Sequence, residues 1–246
     1  MDSFSILTYN IWFSQKLQIK RLKMLIAFII KYDPDVVCLQ EVIQPVLDVL
    51  VKYFKKKYPN VFPQNIINRS YGEVILSKHK FISSFSMPFS NTKMARQLSF
   101  VTLDLNTNKS ILISTFHLES EFLDDNTTKK SQYKELIKTI NEHSNLAPNN
   151  MFLAGDTNIL EKENKDFVLN KWKDAWIENG KPKDKQYTYT SIKNTYIFKK
   201  YKSRFDRILY KSTDWKISDF KLIGTMDDCE IMPSDHFGLY TTFKKI

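Results

Sequence analysis

The chain has 246 residues, 42% of them hydrophobic and 26% charged, a balance that excludes low-complexity and disordered classes and suits one large α/β domain or two small ones. Lys and Arg number 37 against 27 Asp and Glu, a net charge of +10 that favours an anionic partner. Two cysteines cannot build a disulfide framework, the longest apolar run (Met24–Ile30) is too short for a bilayer, and Met-Asp-Ser-Phe-Ser is no signal peptide, so the expectation is a soluble intracellular protein, nuclear or cytoplasmic, without a membrane partner.

Ser5–Ile11 reads as a strand that the fold enters directly, with no accessory domain ahead of it. Leu17, Leu22, Leu25, Ile26 and Ile29 then recur at helical spacing, with Lys20, Arg21 and Lys23 between them. Asp33-Pro34-Asp35 ends that helix, because proline blocks continuation and biases its predecessor toward extended geometry. Val36–Val42 is a short apolar run of the buried-strand type, and a second helix is expected over Pro45–Lys57. Strands follow at Val74–Leu76, Phe81–Phe85, Leu98–Leu105 and Ile111–Phe116, separated by polar breaks such as Asn106-Thr107-Asn108. A helix over Lys129–His143 leads to the apolar run Met151–Ala154. The last third is polar and aromatic and ends in two expected strands, Phe205–Tyr210 and Phe237–Phe243. With five glycines, no linker and no internal repeat, residues 1–246 read as one domain. Consecutive strands outnumber helices, which predicts an α/β (α+β) fold of two packed sheets with helices outside.

The informative residues interrupt the expected strands. Asn10 follows the first, Gln40 and Glu41 the second, His117 the run 111–116, and Asp156 and Asn158 the run 151–155. Asp206 sits in Arg204-Phe205-Asp206-Arg207-Ile208, and Asp235-His236 precede the last strand. Singly each is weak: a lone Glu is usually a solvated strand end, and Gly155-Asp156-Thr157-Asn158 reads equally as a turn. Ser234-Asp235-His236 reads equally as a strand-entry cap, and Asp206 between two arginines as a surface ion pair. His79 and His143 carry no assigned role. As a set, six strand ends that converge would make a floor of carboxylates, amides and two histidines.

Such a floor suits a hard divalent cation with oxygen ligands. The sequence has no zinc spacing, no Gly-rich phosphate loop and no nucleophile elbow. Metal-assisted attack of water on a phosphate ester remains, with imidazole or amide donors stabilising the transition-state charge.

Thr8-Tyr9-Asn10, Leu39-Gln40-Glu41, Gly155-Asp156-Thr157-Asn158 and Ser234-Asp235-His236 occur in the order of the endonuclease/exonuclease/phosphatase superfamily, which the chain resembles from about residue 5 to 240. His117-Leu118-Glu119-Ser120, Thr92-Lys93-Met94 with Arg96, Gly180-Lys181-Pro182-Lys183, Gln186-Tyr187-Thr188 and Arg204–Ile208 are similar to its 5′-tyrosyl-DNA phosphodiesterase members. The resemblance implies a DNase I-like four-layered α/β sandwich, two facing mixed sheets flanked by helices. It implies Mg²⁺, or Mn²⁺, held by Glu41 with Asn10 and Asp235. Asp156 would activate water, Asn158, His117 and His236 would contact phosphate oxygens, and Asp206 would fix the His236 tautomer. Arg96, Ser120, Tyr189, Arg204 and Phe205 would contact substrate. The implied partner is a DNA 5′ end linked to a protein or peptide tyrosine, single-stranded near that end, as in trapped topoisomerase II adducts, and the product is a 5′-phosphate. Phenolate, with a reference pKa of about 10, leaves readily, so a general acid is less necessary than in a nuclease. A monomer is expected.

Lys181–Arg207 adds an argument from composition. Nine basic residues (Lys181, Lys183, Lys185, Lys193, Lys199, Lys200, Lys202, Arg204, Arg207) stand against Asp184 and Asp206, a charge of +7, interleaved with six aromatic rings. That pattern suits a groove where phosphates are neutralised and bases stack, and equally a loop packed on the core by its rings; the flanking motifs favour the groove. Three departures mark the chain: Tyr189 replaces an expected Trp, and Leu160 and Phe122 replace expected arginines. Alternatives in the same superfamily are an abasic-site endonuclease or nuclease, and unlinking of tyrosyl-RNA. A silent nucleic-acid-binding module would have lost metal or histidine positions that this sequence keeps. A lipid phosphodiesterase would need a membrane-docking insertion that the sequence lacks.

Overall fold

A computed structural model describes residues 2–105, 110–120, 127–160, 162–163, 167, 171–192, 194–198 and 200–246. Phe122, Lys193, Lys199 and the 106–108 break lie outside the described residues. The first sheet is built from β1 (Ser3–Asn10), β2 (Val36–Val42), β3 (Asn60–Phe62), β4 (Gly72–Ser77), β13 (Trp215–Ile223) and β14 (Gly238–Lys245), in the order β13-β14-β1-β2-β4-β3. The second contains β5 (Phe81–Pro88), β6 (Gln97–Asp104), β7 (Ser110–His117), β8 (Asn150–Asp156), β9 (Lys173–Asp174) and β12 (Asp206–Ser212), in the order β5-β6-β7-β8-β12-β9. β10 (Tyr189–Thr190) and β11 (Lys202–Ser203) form a small separate ribbon.

Each large sheet has a parallel pair at its centre, β1 with β2 and β7 with β8, and antiparallel neighbours outside it. A parallel pair needs a crossover, and a helix supplies it in both cases. Helix α1 (Gln18–Tyr32) joins β1 to β2, and α3 (Thr127–Glu142) precedes β8. Helix α2 (Gln44–Phe54) packs beside α1, and α4 (Ala175–Glu178) is one turn at the far edge of the second sheet. Asp33 ends α1 in the left-handed conformation, φ 46°, and its N–H bonds the Ile29 carbonyl just before Pro34.

Side-chain alternation divides the interior into three apolar layers. Phe4, Ile6, Val36, Cys38, Ile113, Phe152, Ala154 and Ile208 face each other between the sheets. Leu7, Tyr9, Val37 and Leu39 point the other way, under α1 and α2, and Leu112, Phe116, Leu153 and Leu209 lie under α3. Helices, sheet, sheet and helix make four layers, as expected. Burying each of these large side chains stabilises the fold by roughly 1.5–3 kcal/mol.

Two expectations change. The nine-residue β13 was not expected: Trp215 and Phe220 are buried between the sheets and Ile223 under the helices, but lysines and acids between them lower its mean hydropathy. That is the composition of an edge strand, half exposed and charged on its outer face. Arg21, read as one of the cations between the apolar positions of α1, is 3% exposed and belongs to the buried face. No described helix is long and apolar enough to cross a membrane.

Candidate active site

Parity along the strands builds the site. In β1 the even residues Phe4 and Ile6 face the space between the sheets, so Asn10 does too; the same count carries Val36 and Cys38 to Gln40. In β7, β8 and β12 it places His117, Asp156 and Asp206 on that face. The parallel strands end where the antiparallel β12 and β14 begin, so all these residues reach one rim of the sandwich. Register fixes them further: Asp156 stands beside His117 on one side and Asp206 on the other.

Glu41 breaks the alternation. It lies at an irregularity between Leu39 and Val42 with φ 57°, a left-handed conformation that costs a non-glycine residue about 1–3 kcal/mol. The turn aims its carboxylate at the rim, where Oε1 accepts Asn10 Nδ2 at 3.1 Å and Oε2 accepts the Phe13 N–H at 3.1 Å.

Asp156 is the centre of the floor. Its Oδ2 accepts Asn10 Nδ2 at 2.9 Å and lies 3.3 Å from His117 Nε2 and 3.8 Å from His236 Nε2. Oδ1 accepts the Asn158 N–H at 2.8 Å. Burial works against the Asp156 charge, but the His117 and His236 imidazoles outweigh it and hold the carboxyl well below the usual range. It is therefore ionised at neutral pH.

The two histidines are oriented differently. Arg96 Nη1 is 2.6 Å from His117 Nδ1; a guanidinium can only donate, so Nδ1 accepts and the proton sits on Nε2, toward Asp156. His236 Nδ1 is 2.9 Å from Asp206 Oδ2. Burial lowers the pKa of His236, but the Asp206 and Asp156 carboxylates more than reverse this and raise it well above its ordinary value. Tyr189 packs on the same ring, with centroids 4.9 Å apart, and Phe205 and Tyr201 close the cluster.

The donor set fits a hard cation. Asp235 is pushed up to about 6 by burial, with the Glu41 charge adding to the rise although His236 opposes it. Two carboxylates that repel each other at a half-buried rim are the arrangement a divalent cation relieves. Asp156, Asp206 and His236 also offer ligand atoms within 4.8 Å of one another, but Asp206 Oδ2 and His236 Nδ1 already bond each other.

Several expected site residues stand elsewhere. Asn10 turns its NH₂ between two carboxylates, separating Glu41 from Asp156, while its oxygen accepts the Trp12 N–H at 3.0 Å. Arg204 is a correction: its Nη1 is 2.6 Å from Asp174 Oδ2 and its guanidinium lies over Trp176, at the β9 edge of the second sheet. Asp206 consequently pairs with His236, not with its flanking arginines. Phe205, 3% exposed, is a wall behind His236 and leaves no face open to a base. Arg96 is buried and reaches the rim through His117 and Ser120, whose Oγ is 3.3 Å from Nη2. Asn158 donates one amide N–H to the Leu118 carbonyl at 2.9 Å, which leaves its second N–H.

Two positioning residues escaped the sequence reading. Arg21 donates to the carbonyls of Ile11, Trp12, Ser14, Lys16 and Pro233, tying the loop after Asn10 to the segment before Ser234-Asp235-His236. The available signal was its place four residues from both Leu17 and Leu25, on the apolar stripe of α1. Lys129, buried beside Glu163, donates to the Asn158 carbonyl at 3.1 Å.

Residues 7–236 match the endonuclease/exonuclease/phosphatase family, to which this chain belongs. Its relatives are narrower in kind. Tyrosyl-DNA phosphodiesterase 2 of Mus musculus is 35% identical over 87% of this chain and 59% of its own length, and that of Bos taurus 32% identical over 99% and 68%. Tyrosyl-DNA phosphodiesterase 2 of D. rerio, in a crystal structure complexed with single-strand DNA product, superposes with a TM-score of 0.86 at 26% identity, covering 98% of this chain and 99% of that one. The chain falls in this branch of the family and spans about three-fifths to two-thirds of the length of the curated relatives it matches.

Proposed function

We propose that the chain hydrolyses 5′-phosphotyrosyl bonds between DNA ends and protein, such as topoisomerase II adducts, with Mg²⁺ and as a single-domain monomer inside the cell. The observation that carries this reading is the meeting of Asn10, His117 and His236 on one ionised carboxylate, Asp156, beside the Glu41–Asp235 pair. The relatives' common activity supports the choice of ester.

Glu41 and Asp235 are the residues that would hold the cation, which would supply charge neutralisation at the phosphoryl group. Asp156 accepts a hydrogen bond from water and aligns it with phosphorus. His236, kept cationic by Asp206, and His117, with its proton directed to Nε2 by Arg96, donate to the phosphoryl oxygens together with Asn158. As the water oxygen bonds phosphorus, it keeps one hydrogen and gives up the other by way of Asp156 to solvent, while the bond to the tyrosine oxygen breaks and its electron pair leaves on a phenolate. Its reference pKa of about 10 makes it a far better leaving group than a sugar alkoxide. Tyr189 lies over His236 at the rim, where the strand approaches.

Incubation with a 5′-phosphotyrosyl oligonucleotide is expected to yield a 5′-phosphate end with Mg²⁺ and nothing with EDTA. Glu41→Gln should lower kcat/KM on the order of 10³-fold while leaving DNA affinity nearly intact. Tyrosyl-RNA and abasic duplex run beside it decide the substrate: efficient cutting of abasic DNA with tyrosyl-DNA left intact would overturn the proposal.

A further inference from the structure

Behind the catalytic floor, on the outer face of the second sheet, lies a cavity of about 240 Å³. Its walls include Tyr133, Asp174, Trp176, Lys181, Arg204 and Arg207. Alternation in β12 separates it from the catalytic groups: Asp206 and Ile208 face between the sheets, while Arg207 and Leu209 face outward. Nothing in the phosphodiester chemistry uses these residues.

Among the described residues that line the cavity, Arg204, Arg207 and Lys181 are the cations and Asp174 is the carboxylate. Asp174 Oδ2 already takes Arg204 at 2.6 Å and Arg207 at 3.5 Å, and its Oδ1 caps α4 by accepting the Trp176 N–H at 3.0 Å. Lys181 adds a third positive charge, exposed at the mouth. Two lining side chains keep buried polar atoms with no partner, Nε of Arg204 and the hydroxyl of Tyr133; the side chains are 5% and 5% exposed. Buried donors are normally satisfied, and orphans of this kind mark where a ligand or water completes the bonding. The space far exceeds the roughly 10–15 Å³ that one water needs; Tyr133 gives it an aromatic wall, while the Trp176 ring carries the Arg204 guanidinium. A bare oxyanion would satisfy the charge and leave the Tyr133 ring unused.

We propose that this cavity is a second ligand site, selective for a small phosphate monoester that carries a ring, of the class of a mononucleotide. Its phosphate pairs with Lys181 and the Arg204 Nε–H, and its ring lies against Tyr133. The site is independent of the catalytic chemistry and stands whether or not the chain cleaves tyrosyl-DNA.

Isothermal titration calorimetry of the whole chain in EDTA, with adenosine 5′-monophosphate and separately with inorganic phosphate, tests it. The expected result is saturable binding of the nucleotide, at least tenfold tighter than phosphate. Lys181→Glu should weaken it at least tenfold and Tyr133→Phe about threefold, with melting curves showing both variants folded, whereas Asp156→Asn should leave it within twofold. Lys181 is exposed and Tyr133→Phe keeps the ring, so neither change threatens the core. Absence of saturable binding, equal affinity for phosphate alone, or indifference to Lys181→Glu with sensitivity to Asp156→Asn would each overturn the site.

Discussion

His236 and Asp206 form the pair on which the chemistry is most sharply testable. A buried imidazolium is unfavourable alone, and it is the Asp206 carboxylate at 2.9 Å, helped by Asp156, that raises its pKa well above the ordinary value. A raised pKa keeps the ring cationic to higher pH, so an activity that needs the cation is present below that pKa and lost as pH rises through it. Asp206→Asn removes the larger of the two stabilising charges and leaves the burial. The alkaline limb of the kcat/KM profile should therefore move to lower pH, and the rate at pH 8 should fall on the order of 10²-fold. An unchanged alkaline limb in the variant would assign the limb to another group.

At the scale of elements, two contacts hold the rim in register. Gly155 in β8 has no room for a side chain, since a Cβ there would meet the Phe116 carbonyl oxygen of β7 at 2.2 Å and its nitrogen at 3.0 Å. Backbone cannot yield as a side chain does, so Gly155→Ala should cost about 1–3 kcal/mol or more and shift the neighbouring Asp156. Urea melts and kcat/KM should fall together; a variant stable yet inactive, or active yet unstable, would separate the two effects. Arg21 is the corresponding tie across the first sheet. Arg21→Met strips five carbonyls of their donor and should destabilise the chain by about 3 kcal/mol or more, lowering the urea midpoint with the slope unchanged.

For the whole molecule, the charge of +10 is only partly available to nucleic acid. Within residues 181–207, Arg204 and Arg207 pair with Asp174, Lys185 donates to the Phe220 carbonyl, and Lys202 lies over Tyr187. Single-stranded binding releases counterions with a slope of about −0.7 per neutralised phosphate. Fluorescence anisotropy between 50 and 200 mM salt should then give a slope no steeper than about −3.5, or roughly five phosphates. A slope much steeper would return the buried arginines to the interface.

Asn10, His117 and Asp156 were legible in the sequence because an apolar strand that ends in a lone polar residue advertises it, and period-two alternation states which face it takes. Glu41 was visible in type but not in direction, since its left-handed turn is set by the irregular pairing of β2 with β4. The pairing partners of Arg96, Arg204 and Arg21 could not be read at all. A guanidinium's long stem lets it bond any carboxylate, imidazole or carbonyl within reach, and what lies within reach is set by strands far apart in the chain. The strand Trp215–Ile223 was hidden for a related reason: at a sheet edge only alternate residues are buried, and its lysines obscured the rest. Local alternation thus determined which residues line the space between the sheets. Only the packing of one sheet on the other, driven by the apolar layer beneath them, decided that these residues meet around Asp156 at one rim.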